Sequence, residues 1–244
     1  MEQARSALVI GGSRGIGAAI VKRLAQDGAR VAFTYSSSPD QAHEVAAQVA
    51  AAGGRALALR SDAADEAQVR AAVAQTAETF GRLDILVANA GVLGIEPVAS
   101  FPMALFDRMI AVNVRAAFVA IQEAQRFMGE GGRIVTIGSM VAERAGSPGA
   151  SVYALTKAAL AGMVRGLAAD LGARGITINN VQPGPTVTDM TPGEGEIADA
   201  MRGMLPVKRL GRPEEIAAMV AYLVSPEAGY VMGASLTIDG GMRA

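Results

Sequence analysis

Tyr153 and Lys157 stand four residues apart in the run Ser151-Val-Tyr-Ala-Leu-Thr-Lys157. On a helix, that spacing puts a phenol and an ammonium on one face. A nearby positive charge favours the phenolate and lowers the tyrosine pKa, and a tyrosine so tuned can give or take a proton near neutral pH. Near the N-terminus lies a second chemical signal, the turn Gly11-Gly-Ser-Arg-Gly-Ile-Gly17. Glycines there let the backbone approach a phosphate, and a following helix offers free N–H groups and the positive end of its dipole. The spacing of Gly11, Gly15 and Gly17 departs from G-x-G-x-x-G. Its place as the first strand-to-helix turn favours nucleotide binding over a merely tight connection. One half of the chain implies a cofactor and the other an acid/base.

The elements that must carry these residues alternate regularly. Ala7–Ile10, Arg30–Tyr35, Ala56–Leu59, Asp84–Ala88, Arg133–Ile137, Ile176–Val181 and Ser235–Ile238 read as short buried strands. Between them, Gly15–Asp27, Pro39–Ala52, Asp65–Phe80, Met103–Met128, Val152–Leu171 and Pro213–Val224 read as helices, with Pro39 suited to a first turn. The alternation predicts an α/β fold in one domain over residues 1–244, a doubly wound and mostly parallel seven-stranded sheet with helices on both faces. Thr186 to Leu210, rich in glycine, proline and methionine, breaks the rhythm just after the sixth strand. Ligands in such sheets sit at the carboxyl ends of the strands, so residues 186–210 are placed like a lid over a substrate. Met190, Met201, Met204 and Leu205 in it suit an apolar pocket or packing against the core.

Bulk composition removes several classes. The formal net charge is −1, which gives a nucleic acid nothing to attract, and no basic run suits a membrane surface. Cysteine is absent and His43 is the only histidine, so neither disulfides nor a histidine-rich metal centre is expected. The N-terminal residues lack the apolar stretch of a signal peptide, and the expectation is a cytoplasmic protein.

Other positions gain meaning from where the elements end. The second strand closes on Thr34-Tyr-Ser-Ser-Ser38 with no carboxylate before Asp40, so nothing would repel a ribose 2′-phosphate. Arg14 in the glycine turn, with Tyr35, Ser36 and Ser37, can hold that phosphate, which favours NADP(H). Asn89-Ala90-Gly91 ends the fourth strand with side chains small enough for a ring or ribose, or simply forms a turn. Asn113, set among apolar residues in mid-helix, must find partners in backbone or water. Ser139 ends the fifth strand, where a serine is commonly a cap or turn residue; its meaning comes from Tyr153.

Taken together, the glycine turn, Asn89-Ala-Gly91, Asn113, Ser139, Tyr153-Ala-Leu-Thr-Lys157, Pro183-Gly184 and Ile238-Asp-Gly-Gly241 resemble the short-chain dehydrogenase/reductase family over essentially the full chain. The resemblance implies a Rossmann fold, a nicotinamide cofactor, a small carbonyl or alcohol substrate and a catalytic tetrad of Asn113, Ser139, Tyr153 and Lys157. In it Tyr153 donates the proton and Ser139 hydrogen-bonds the carbonyl oxygen. Lys157 lowers the tyrosine pKa and holds the nicotinamide ribose, and Asn113 positions a water. The implied cofactor residues are Gly11, Ser13, Arg14, Gly15, Ile16, Gly17, Tyr35, Ser36, Ser37, Asp62 against the adenine, Asn89, Ala90, Gly91, Tyr153, Lys157, Pro183, Gly184, Thr186, and Thr188 at the carboxamide.

The likeness extends to a branch described as binding cyclic-di-GMP, through Arg30-Val-Ala-Phe-Thr-Tyr35, Val181-Gln-Pro-Gly-Pro185 and Arg212-Pro-Glu-Glu215. It reaches acyl-carrier-protein reductases more distantly. A nucleotide sensor with a cyclic dinucleotide ligand is therefore the alternative to an enzyme. Two departures stand out. Fourteen positions separate Ser139 from Tyr153, about one more than is common, so the loop Met140 to Ala150 must absorb a residue. Glu130 argues against an acidic carrier protein, although Arg174 is retained. A homotetramer is expected from the family and from apolar residues on more than one face of two helices: Val112, Val114, Phe118 and Ile121 on one, Leu155, Leu160, Met163 and Leu167 on the other.

Overall fold

Seven strands, all parallel, run in the order β3-β2-β1-β4-β5-β6-β7. They are β1 Ser6–Ile10, β2 Arg30–Tyr35, β3 Arg55–Arg60, β4 Ile85–Ala88, β5 Arg133–Ile137, β6 Thr177–Pro183 and β7 Ser235–Ile238. The computed structural model describes residues 4–145 and 147–244; the first three residues, and Gly146 of the Met140–Ala150 loop, lie outside the described residues. The order reverses between β1 and β4, which places a crevice at the carboxyl ends of those two strands.

Alternation along each strand divides the core. Ala7 and Val9 of β1 face a layer made by α1 (Gly15–Gln26), α2 (Pro39–Ala51) and the later helix Pro213–Val224. Leu8 and Ile10 face the other layer, made by α3 (Glu66–Phe80) and the helices 116–124 and 151–172. Strands buried on both faces explain why β1 and β4 read as unbroken apolar runs. Phe33, Leu8 and Ile134 are each 0% exposed, and burying one such side chain is worth about 1.5–3 kcal/mol. Asp65 caps α3 by accepting from Ala67 N and Gln68 N at 2.9 and 3.2 Å.

The long helix expected from Met103 to Met128 is a composite. It runs as α4 (Met103–Ile110), a π-helical turn over Ala111–Arg115, and α5 (Ala116–Ala124). It stops four residues early, and Arg174 donates to the carbonyls of Gln125 and Met128 beyond its end at 2.7 and 2.9 Å. Arg174, noted as the basic residue retained from carrier-protein reductases, is thus engaged at a helix end. The helices α6 (Ser151–Gly172), α7 (Glu196–Met204) and α8 (Pro213–Val224) complete the chain. Helix α7 lies inside the Thr186–Leu210 segment, where no helix was expected. Its hold on the body is narrow: Ala198, Leu205 and Leu210 form a small buried cluster with Met201 and Met242 against it.

The fold also absorbs part of the apolar surface on which the expectation of a tetramer rests, while Val114, Met163 and Leu167 stay half-buried. Val112, Ile121 and Leu160 are 4, 2 and 2% exposed, buried within their own chain. Phe118 and Leu155 remain open, at 43 and 49%.

Candidate active site

The glycine turn closes on itself through contacts that leave no room for side chains. A Cβ at Gly17 would lie 2.0 Å from Gly11 O and 2.6 Å from Asn89 Nδ2. Asn89 Nδ2 donates to Gly11 O at 2.6 Å, and Gly11 N donates to Thr34 Oγ1 at 2.9 Å. Gly15 has φ +52°, and a Cβ there would meet Thr188 Cγ2 at 3.1 Å. Thr188 therefore lies over the turn, held by its paired backbone bonds with Thr191 at 3.0 Å. No side chain caps α1 at Arg14, so the amides of its first turn remain for a ligand. Ser13 and Ile16 are half-buried beside them. The small-residue cradle and open helix end fit a dinucleotide diphosphate.

The residues expected to do acid/base chemistry gather at the carboxyl ends of β4 and β5. Ser139 follows β5 and is buried; its Oγ accepts from Val141 N at 3.2 Å. It also lies near enough to the Tyr153 phenol to offset part of the effect of burial there. Lys157, one turn further along α6, is buried, and its Nζ donates to Ile137 O at 2.9 Å. That Nζ lies 5.7 Å from the centroid of the Tyr153 ring and 3.4 Å from where a Gly91 Cβ would stand. Asn113 sits in the π turn and clamps the backbone after β4. Its Oδ1 accepts from Val92 N at 2.8 Å, while Nδ2 donates to Val92 O at 2.9 Å and to Thr156 Oγ1 at 3.1 Å. These bonds hold the backbone just past the Asn89–Gly91 turn, whose Gly91 lies beside Lys157. π turns often mark functional sites because the extra residue re-aims a side chain.

The electrostatics correct one expectation. Proximity to Lys157 does not lower the Tyr153 pKa here: burial pushes the phenol up to about 12, partly countered by Ser139. Lys157 itself is pulled down to about 8 by burial. Desolvation sets both directions, because burial disfavours the charged form of each group.

The remaining expected residues occupy the same crevice with partners the sequence did not reveal. Arg14 is exposed and reaches Asp189 across the groove, Nη1 to Oδ2 3.5 Å. Ser36 and Ser37 are exposed beyond β2, and Tyr35 is in register with Arg60 of β3, a further exposed cation there. Asp62 is bound at both carboxylate oxygens by Arg108 of α4, each at 3.1 Å, and its Oδ1 accepts from Ala64 N at 2.9 Å. The bonds from Arg108 hold its pKa below the usual carboxylate range. Arg108 lies 46 residues from Asp62, and no local signal in the sequence pairs them. Gly184 packs on Asp239, whose Cα would be 2.6 Å from a Cβ at 184. Pro183 ends β6, Ala90 lies against Gly11, and Thr186 Oγ1 donates to Gly184 O at 3.0 Å.

A parallel sheet with this reversal, a glycine turn at its crevice, and a serine–tyrosine–lysine group beside it define a nucleotide-linked oxidoreductase. The chain belongs to the short-chain dehydrogenase/reductase family: the family model described as enoyl-(acyl carrier protein) reductase matches residues 10–243. It is 46% identical over 240 residues to the cyclic-di-GMP-binding biofilm dispersal mediator protein of Escherichia coli strain K12, covering 98% of each chain. The structure of a short-chain dehydrogenase/reductase from Serratia marcescens BCRC 10948 superposes with a TM-score of 0.97 at 55% identity, covering 99% of each chain. A short chain dehydrogenase from Burkholderia cenocepacia J2315, solved in complex with NADP, gives 0.97 at 51% identity, again over 99% of each.

Among the described residues no helix is long and apolar enough to cross a membrane.

Proposed function

We propose that the chain is an NADPH-dependent carbonyl reductase, reversible as an alcohol dehydrogenase, acting on ketones or secondary alcohols. The observation that carries the reading is the gathering of Ser139, Tyr153 and buried Lys157 beside Gly91, in the crevice that also holds the glycine cradle. NADPH, when bound, supplies the hydride. Gly11, Gly15 and Gly17 with the first amides of α1 would hold the diphosphate, and Asn89, Ala90 and Gly91 leave space beside Lys157 for the ribose. Tyr153, kept protonated by its burial, gives its proton to the carbonyl oxygen as negative charge develops there. Ser139 donates to the same oxygen, an interaction stronger in the transition state than with the neutral ketone. Lys157 supports the tyrosinate left behind.

The test is NADPH oxidation followed at 25 °C with a panel of aliphatic, cyclic and aryl ketones. Turnover with none of them would sink the reading. One observation favours a second reading, a cyclic-dinucleotide sensor: the relative sharing 46% of its residues bears a cyclic-di-GMP-binding name. Calorimetric titration with cyclic-di-GMP separates the two, since a sensor would bind it tightly whatever the ketone result.

Arg14 is the residue that should select NADPH over NADH. A charge-assisted bond to a phosphate is worth about 1.5–3 kcal/mol. The competing exposed pair with Asp189 is worth under about 1 kcal/mol, so the 2′-phosphate wins. Arg14→Ala is expected to lower the NADPH/NADH ratio of kcat/KM by roughly 10–100-fold. An unchanged ratio would move the phosphate site to Arg60.

The open Phe118 and Leu155 suit contact between copies of the chain, and the expected assembly is a homotetramer. Light scattering at micromolar concentration reads this directly, and a monomer there refutes it.

A further inference from the structure

We infer that the turn after β7, Asp239–Arg243, is a positioning element for the pocket loop that follows Ser139, with Arg243 holding that loop in place and so setting the KM for the carbonyl substrate. The inference rests on the carbonyl-reductase reading for its kinetic consequence, but the contacts themselves do not.

Two contacts join the segments, one from each side. Arg243 Nη1 binds the Glu143 carboxylate, and Arg144 Nη1 donates to Met242 O at 3.1 Å. Glu143 and Arg144 come directly after the short turn Met140–Ala142 that Ser139 caps. A shift at Glu143 is therefore transmitted through a single tight turn to the serine that touches the reacting oxygen.

Arg243 is braced for this role before it meets Glu143. Its backbone N–H donates to Asp239 Oδ2 at 3.2 Å, and Nε faces the same oxygen at 3.5 Å. Its Nη2 donates to Thr237 Oγ1 at 2.5 Å, and Asp239 Oδ1 accepts from Gly241 N at 3.0 Å. With Nη2 on Thr237 and Nε beside Asp239, the guanidinium is already oriented when Nη1 meets Glu143. Its side chain is 25% exposed against 50% for Glu143, so the arginine is the anchored partner and the loop is what it restrains.

The same turn reaches the opposite wall. Met242 packs against the cluster of Ala198, Leu205 and Leu210 that seats α7. Asp239–Arg243 thus bridges the Ser139 loop and the Thr186–Leu210 segment, the two walls between which a substrate must enter. Glu143 lies in the loop that is one residue longer than common in the family. A longer loop has more conformations to lose, and a tether outside the loop offsets that cost.

The decisive experiment compares parent, Arg243→Ala, Arg243→Lys, and the double variant Glu143→Gln/Arg243→Ala. With the best ketone of the panel, Arg243→Ala is expected to raise KM about five- to tenfold with kcat changed less than about threefold. NADPH affinity should be unchanged, since none of these contacts involves the glycine turn. Arg243→Lys should recover part of the loss by keeping one charge for Glu143. The double variant should be no worse than Arg243→Ala, as expected when both substitutions break one link. Hydrogen exchange should quicken over residues 140–145 in Arg243→Ala. Unchanged exchange there, or an unchanged KM, overturns the inference. A parent that reduces no ketone would sink the carbonyl reading alone. Exchange would then decide this inference by itself, faster exchange supporting it and unchanged exchange overturning it.

Discussion

Tyr153→Phe is expected to lower kcat for ketone reduction by roughly 10²–10⁴-fold while NADPH binds almost as before. Only the phenolic O–H is removed. The ring that lies 5.7 Å from the Lys157 ammonium stays in place to pack, and the glycine cradle is untouched. Burial holds the phenol up to about 12, so at neutral pH the free protein has a proton ready to donate. Lys157, near 8, is the group of this pair that titrates in the working range. Reduction measured as kcat/KM should accordingly decline as pH rises through about 8, because loss of the ammonium leaves a developing tyrosinate unsupported. Single-turnover rates with a cofactor titration check the assignment. Turnover in Tyr153→Phe above a tenth of the parent rate would show that another group delivers the proton.

Lys157→Met should do two opposite things: remove turnover and raise the stability of the cofactor-free protein. The ammonium is buried against a carbonyl, and its pKa falls from an ordinary 10.5 to about 8. A fall of that size corresponds to about 3 kcal/mol of penalty on the charged form at neutral pH. Losing the bond to Ile137 O returns about 1 kcal/mol, which leaves a net gain of about 2 kcal/mol for the methionine variant. For a chain of this length that is roughly 5 °C in Tm.

The sign follows from linkage. Between pH 8 and 10.5 the unfolded chain binds a proton that the folded chain has released, so the parent gains stability as pH rises through that window. The advantage of Lys157→Met is therefore full below about pH 8 and gone above about 10.5. Thermal melts of both proteins at pH 7 and pH 10.5 test it. A variant less stable than the parent at pH 7, or a gap that ignores pH, would show that Lys157 is not held at a desolvation cost. The result would also identify the lysine as retained for chemistry, since a position kept for stability alone would not prefer a charge there.

Much of the site is legible in the chain because its signals are local. The Tyr153–Lys157 spacing needs only a helix to put both groups on one face, and residues 151–172 form that helix. The glycine turn needs only a strand before it and a helix after it. The seven short apolar runs, alternating with helical stretches, specify a parallel sheet because no other layering covers both faces of such strands. The expected bounds of β2, β5 and β7 agree residue for residue with those observed.

What the sequence could not supply is set by contacts between distant segments. Arg108 with Asp62, Arg14 with Asp189 and Arg243 with Glu143 join segments far apart in the chain that the strand order brings to one edge of the sheet. Helix α7 escaped notice because it is only nine residues long, follows a glycine- and proline-rich run, and buries Ala198 alone. The pKa balance at Tyr153 and Lys157 was also out of reach. Spacing along a helix reports that two groups are neighbours, whereas desolvation sums over every element packed around them. Here that sum outweighs the attraction that the spacing alone implies.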